Sequence, residues 1–180
     1  IMEFFQEVLL ILNRYGPMML NGTKVTLILA IVGTLVGFVI GLLIGVYKTI
    51  PIRKEDPLVK RIIFKIFNFI LSAYIEIFRS TPMMVQAMII FYGIAELTGI
   101  TLDRMIAGMF IISINTGAYM AEIVRGGIIS VDKGQFEATH SIGMTHFQSM
   151  LYVILPQAIR NIMPAVGNQL IINMKDSCVL

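Results

Sequence analysis

From Val25 to Tyr47 the chain carries no charge for 23 consecutive residues. At about 1.5 Å per residue a helix of that length spans roughly 34 Å, enough to cross the hydrocarbon of a bilayer. Within it Gly33, Gly37, Gly41 and Gly45 recur every four residues, which puts them on one stripe where a second helix approaches closely. A lining role for that stripe is the weaker alternative. Composition extends the reading to the whole chain. Of 180 residues, 57% are hydrophobic and only 14% charged, with a mean hydropathy of +0.83. Soluble domains carry roughly 25% charged residues. The sequence therefore specifies an all-α integral membrane protein, a single transmembrane domain over residues 1–180. The single cysteine, Cys178, excludes an internal disulfide. Ile1 to Tyr15 holds Glu3 and Glu7 and no basic leader, so it does not read as a cleavable signal.

The other segments follow from charge. Residues 1–16 read as a short interfacial amphipathic helix ended by Pro17. Lys48, Arg53, Lys54, Lys60, Arg61 and Lys65 outnumber Glu55 and Asp56 and mark a cytoplasmic stretch broken by Pro51 and Pro57. A helix over 58–79 follows, then a break at Ser80-Thr81-Pro82, then an apolar block from Met83 to Leu102. Met105 to Ala121 is again uncharged, Arg125 and Lys133 again mark the inner side, and a last apolar block runs from Asn161 to Met174. With both basic stretches inside, an even number of crossings separates them. Residues 58–102 then hold only one crossing, with 58–79 entering along the inner leaflet, and the N-terminus is outside. The pattern stops at Leu180 without a closing polar tail, so a further helix is expected beyond it. The sequence shows no internal repeat, which weighs against carriers built from inverted halves.

Between the apolar blocks lies a polar island, Glu137 to Pro156, reading EATHSIGMTHFQSMLYVILP. Asp132-x-x-Gln135 and Thr145-x-x-Gln148 fit helix starts, and Gly143 fits a helix stop. These signals predict a short helix over about 133–142, a turn, and a second helix rising through Leu155 and Pro156. On the residues alone, an ordinary solvated loop and a docking element for a soluble partner both remain open. His140 and His146, six apart in this loop, have poor metal-ligand geometry and read as surface histidines. No G-x-x-x-x-G-K-[ST], G-x-S-x-G or H-E-x-x-H occurs, and the basic residues lie where membrane topology places them. Neither an enzyme nor a nucleic-acid binder is indicated.

Polar groups inside the apolar blocks form a second candidate site. A charge in a spanning helix costs a few kcal/mol, so it normally faces protein or water. Asn115, Tyr119 and Glu122 share one helix face by i, i+4, i+7 spacing. Either they line a path, with Glu122 attracting a cationic group, or Glu122 pairs with Arg125 or Arg79 and holds helices together. Arg79 to Thr81 precede a helix start suited to an anion; an anchoring arginine beside a capping serine is the competing reading. Asn168, Gln169 and Asn173 either face the same path or serve helix packing.

The loop resembles the one by which permeases of bacterial binding-protein-dependent ABC importers grip their ATPase. That loop runs E-A-A, three residues, G, nine residues, I-x-L-P. Here Glu137-Ala138-Thr139 is followed by Gly143, nine residues, and Val153-Ile154-Leu155-Pro156; Thr139 and Val153 are modest departures. Tyr74-Ile-Glu76-Ile-Phe-Arg79-Ser-Thr-Pro82-Met-Met-Val-Gln86, Gly117-Ala-Tyr-Met-Ala-Glu122-Ile-Val-Arg125, and Asn21-Gly22-Thr23 with Thr26-Leu27 are similar to polar amino acid permeases of the histidine/glutamine/arginine type.

The resemblance covers roughly residues 21–180. It implies a type I ABC importer transmembrane domain of about five helices, the last lying past Leu180, in a bacterial plasma (inner) membrane as a multi-pass chain. It implies a coupling loop at about 132–146, with Glu137, Ala138, Thr139, His140 and Gly143 as ATPase-coupling residues. Arg79, Gln86, Asn115, Tyr119 and Glu122 become the expected substrate path. The chain itself is then non-catalytic and holds no cofactor; ATP and Mg belong to a partner ATPase dimer. Its other partners are a second permease copy or a related permease, an extracytoplasmic substrate-binding protein and the amino acid. The carboxylates lean the expectation toward basic amino acids. An ion-gradient-driven carrier or channel, or a membrane scaffold without transport, stands as the alternative class.

Overall fold

The structure is a computed structural model that describes residues 2–52 and 56–179; side chains 2–5, 8 and 179 lie outside that description. Arg53, Lys54 and Glu55, part of the basic stretch, also lie outside it. The chain folds as α1 (Met2–Tyr47), α2 (Leu58–Ser80), α3 (Met83–Thr98), α4 (Arg104–Ile129), α5 (Lys133–Ser141), α6 (His146–Ser149) and α7 (Leu155–Asp176). A π-turn, Met150–Ile154, joins α6 to α7 without a break, and Ser177–Val179 close in a 3₁₀ turn. The described residues contain no strand.

The separate helix expected before Pro17 is not observed: α1 continues through Pro17. Proline removes one backbone donor. In apolar surroundings, however, any non-helical alternative leaves several groups unpaired, so the helix persists. Its apolar part, Leu9–Tyr47, and all of α4 are long and apolar enough to cross a membrane; α3 is a shorter apolar helix.

The seam between α1 and α4 organises the bundle. Gly33, Gly37, Gly41 and Gly45 face Ile112, Thr116, Met120 and Val124 respectively. Both series ascend together, so α1 and α4 run parallel, and Lys48 and Arg125 emerge at the same end. That is the arrangement the charge count requires. A side chain on Gly41 would meet Met120 and the Ala121 amide at 2.7 Å, so these glycines are there for close packing. Helix α7 runs back against the pair: Ile162 packs on Gly127 near one end, and Asn173 reaches Thr116 and Thr34 further along.

The Asn173 amide is the polar centre of this core and is fully buried. Its Nδ2 donates to Thr34 at 2.8 Å; its Oδ1 accepts from Thr116 at 3.1 Å and Gln169 at 3.2 Å. Three helices are thereby joined through one satisfied amide. Gln169 and Asn173 thus serve helix packing, while Asn168 is exposed.

Candidate functional site

Local rules build the loop tightly. The Asp132 carboxylate caps α5 by accepting from the Gly134 amide at 2.7 Å. At the other end, the Gly143 amide donates to the His140 carbonyl and the Met144 amide to the Thr139 carbonyl, both at 3.0 Å. This double closure is the Schellman stop, and it needs a left-handed residue after the cap. Gly143, at φ +80°, supplies it. Thr145 and Gln148 close the reciprocal capping box of α6. Gln135, by contrast, accepts from Gln157 at 3.2 Å and so ties α5 to α7.

Helix α5 has an anchored side and an open side. Phe136 packs on a core of Val124 and Ile128 from the end of α4, Val131 just past it, and Met150, Ile154, Ala158 and Ile162 from the π-turn and α7. Its ring also stacks with His146, centroids 6.4 Å apart. Thr139 is buried beside it and donates its hydroxyl to the Phe136 carbonyl at 2.8 Å. Glu137, Ala138, His140 and Gly143 are exposed. Of the expected coupling residues, Thr139 alone points inward. Because its anchor touches both α4 and α7, a push on α5 reaches two long helices at once.

The expected path residues gather in two groups around the break after α2. Pro82 has no amide to donate, so carbonyls of the last turn of α2 need other partners. Gln86 Nε2 donates to the Phe78 and Thr81 carbonyls at 2.9 Å and to the Thr81 hydroxyl at 2.6 Å. Asn115 Nδ2 donates to the Phe78 carbonyl at 3.2 Å and to Gln86 Oε1 at 2.9 Å. The Tyr119 hydroxyl donates to the Arg79 carbonyl at 3.4 Å, and the Arg79 guanidinium lies 5.5 Å from the Tyr119 ring centre. Gln86 and Asn115 are buried, whereas Arg79 is exposed and Tyr119 partly so. Ser80 is the last residue of α2 and Thr81 its cap, bonding the Ile77 carbonyl at 2.8 Å.

Glu122 forms the second group. It accepts from Arg125 Nη2 at 2.8 Å and lies 3.9 Å from Lys48 Nζ, which also donates to Ser72 at 3.0 Å. Thus α1, α2 and α4 meet at one charged level. Lys48 and Ser72 escaped the sequence reading because nothing in the residue order places 48 beside 72 and 122. The repeat of Gly45 against Val124 is the signal that fixes their level afterwards.

Three comparisons bear on this arrangement. The pattern that defines the "binding-protein-dependent transport system inner membrane component" family matches residues 58–180. The chain is 34% identical to the arginine transport system permease protein ArtQ of Bacillus subtilis over 164 residues, covering 91% of this chain and 69% of that one. It is 36% identical to the glutamine transport system permease protein GlnP of Escherichia coli K12 over 162 residues, covering 89% and 68%. Among solved structures, it superposes on an amino acid ABC transporter crystallised with histidines at TM-score 0.80, with 39% identity, covering 94% of this chain and 73% of that one. The methionine ABC transporter MetNI in an inward-facing form gives TM-score 0.73, with 25% identity and coverage of 91% and 73%.

Proposed function

The chain belongs to the family of binding-protein-dependent transport system inner membrane components, and from that membership we infer its work: it is the transmembrane permease subunit of an ATP-driven importer of polar amino acids. Its fold is the type I importer transmembrane domain. The subunit is non-catalytic and works in a membrane with ATPase and permease partners. ATP and its Mg ion are then held by the ATPase. An extracytoplasmic binding protein delivers the solute, and the chain is multi-pass in a bacterial inner membrane. Helices α1 and α4 cross inward, α2 with α3 returns the chain once, and α7 leads outward again.

One observation carries the mechanism. A capped nine-residue rod, α5, stands at the end of the bundle where Lys48 and Arg125 emerge, with Glu137 exposed and in no ion pair among the described residues. Glu137, Ala138 and His140 form the face that meets the ATPase, while Thr139 and Gly143 set its shape. Closure of the ATPase dimer draws the rods of two permeases together. The Phe136 anchor passes that motion to α4 and α7, and the solute path between the permeases changes side. Arg79, Gln86, Asn115, Tyr119 and Glu122 belong to the wall or the frame of that path. Glu122 is balanced by Arg125 and Lys48, so it gives no lean toward cationic solutes; the class is polar amino acids.

The test is uptake of labelled glutamine and arginine by proteoliposomes holding the assembled complex. ATP-dependent accumulation of at least one is expected, and Glu137→Arg is expected to abolish it. Uptake that survives ATP depletion while an ion gradient persists contradicts the assignment.

A further inference from the structure

A slot of about 340 Å³ lies between α3 and α4. Met84, Met88 and Tyr92 line it from α3, and Arg104, Gly108 and Ile111 from α4. The bond from Asn115 to Gln86, 2.9 Å long, ties the same two helices together just below Ile111 and Met84 and so floors the slot. Helix α3 rises to the short turn that α4 descends from, so Tyr92 and Arg104 stand at the turn end. Tyr92 is eight residues from Met84 and Arg104 seven from Ile111. At about 1.5 Å per residue the slot is about 10–12 Å deep.

Depth and charge decide what such a slot accepts. Lys48 and Arg125 mark the other end of the bundle as the inner one, so Arg104, the first residue of α4, stands at the outer boundary. The slot then runs through most of one leaflet, whose hydrocarbon is roughly 15 Å thick. Its wall is apolar: Met84, Met88 and Tyr92 are exposed along it and Ile111 is buried at its back. Its mouth is basic. Arg104 is exposed and in no ion pair among the described residues. Leu29 sits against Gly108, which brings exposed Lys24 of α1 to the level of Arg104. Two acids share this end. The Asp103 carboxylate is committed to the helix start, accepting from the Met105 and Ile106 amides at 2.9 and 3.1 Å. Glu96 lies one turn beyond Tyr92 and is exposed.

A guanidinium above an apolar slot one leaflet deep calls for an anion joined to a hydrocarbon tail. A small carboxylate would leave the slot empty, and an apolar helix would leave Arg104 without an anion. A phospholipid meets both demands. Its phosphate takes charge-assisted hydrogen bonds from the guanidinium, and its tail fills the slot by close packing, the force left where the solvent is itself apolar. We propose that the α3–α4 slot binds a phospholipid of the outer leaflet, with one acyl chain between Met88 and Ile111 and the phosphate on Arg104. The site goes beyond the permease assignment and takes from it only which end of the bundle faces out.

The test is photo-labelling of the assembled complex in vesicles. One set contains phosphatidylglycerol with a diazirine midway along an acyl chain; the other contains diacylglycerol with the same chain and no phosphate. Adducts at Met88 and Ile111 are compared with adducts at Ile28, Ile31 and Leu35, exposed apolar residues at similar depth on α1. Both lipids are expected to label α1, and the phospholipid to label the slot about fivefold or more above diacylglycerol. Arg104→Gln is expected to remove that excess without changing the labelling of α1, and Arg104→Lys to keep most of it. Arg104 is exposed, so neither variant disturbs the core. Equal labelling of the slot by the two lipids, or no change in Arg104→Gln, overturns the proposal. So does an unlabelled slot beside a labelled α1, which makes it a contact with another helix or a second copy. ATP-dependent uptake in the same vesicles keeps the permease assignment separate: uptake with an unlabelled slot removes the lipid site and leaves the transporter.

Discussion

At the scale of single residues, two side chains and one glycine hold the break after α2 and the turn after α5. Asn115 and Gln86 close carbonyls that Pro82 leaves without donors. Truncating Asn115 to alanine strands Gln86 Oε1 in a buried site, a cost of about 1–3 kcal/mol, while the Phe78 carbonyl keeps its bond from Gln86 Nε2. Asn115→Ala is therefore expected to lower the thermal unfolding temperature of the purified chain, while an exposed control, Asn168→Ala, leaves it unchanged. Gly143 has open space around its Cβ position, so only its φ of +80° restricts it. Gly143→Ala is expected to cost about 1–2 kcal/mol by forcing a left-handed alanine. Gly143→Asn, which tolerates that region, should retain most uptake, and equal loss in both variants would contradict the turn as the cause. The sequence announced this turn well, because Asp132, Gly143 and Thr145 with Gln148 act on their own neighbours. It announced the Asn115–Gln86 pair only as polarity inside an apolar block. Their partner is a carbonyl 37 residues away from Asn115, visible only after α2 and α4 are packed.

At the scale of elements, the glycine repeat fixes register. A side chain on Gly41 would press on the Met120 and Ala121 backbone, whereas Gly93 on α3 faces open space. Gly41→Ala is expected to destabilise the bundle by about 1–3 kcal/mol through overpacking. Gly93→Ala should be neutral or stabilising by about 0.5–1 kcal/mol, since glycine in a helix costs entropy. Comparing the melting of the two variants in detergent checks both, and equal effects would remove the seam as the organiser. Helix boundaries set by local chemistry, such as the break at Thr81-Pro82, were legible in the residue order. The merging of 1–16 into α1 was not, because the solvent around Pro17 decides whether a proline ends a helix, and solvent is not written in the motif.

At the scale of the whole molecule, topology and coupling are one problem. The parallel run of α1 with α4 brings Lys48 and Arg125 to one end of the bundle. That places α5 at the same end, wedged by Phe136 between α4 and α7. Phe136→Ala is expected to weaken this joint, so that the assembled complex still hydrolyses ATP but accumulates little solute. Uptake and hydrolysis falling in proportion would instead indicate a lost ATPase contact. The charge count predicted the parallel arrangement because positive residues report sidedness directly. The Asn173 centre and the Lys48–Glu122 level depend on contacts between distant segments and had no local signal.

The central claim is that the open face of α5 touches the ATPase. A photo-reactive side chain at Ala138, with one at Thr101 as the control for the opposite end, measures it directly in the assembled complex. The account predicts an adduct with the ATPase from position 138 and none from position 101. No ATPase adduct from 138, or an adduct there with an extracytoplasmic protein, would contradict it.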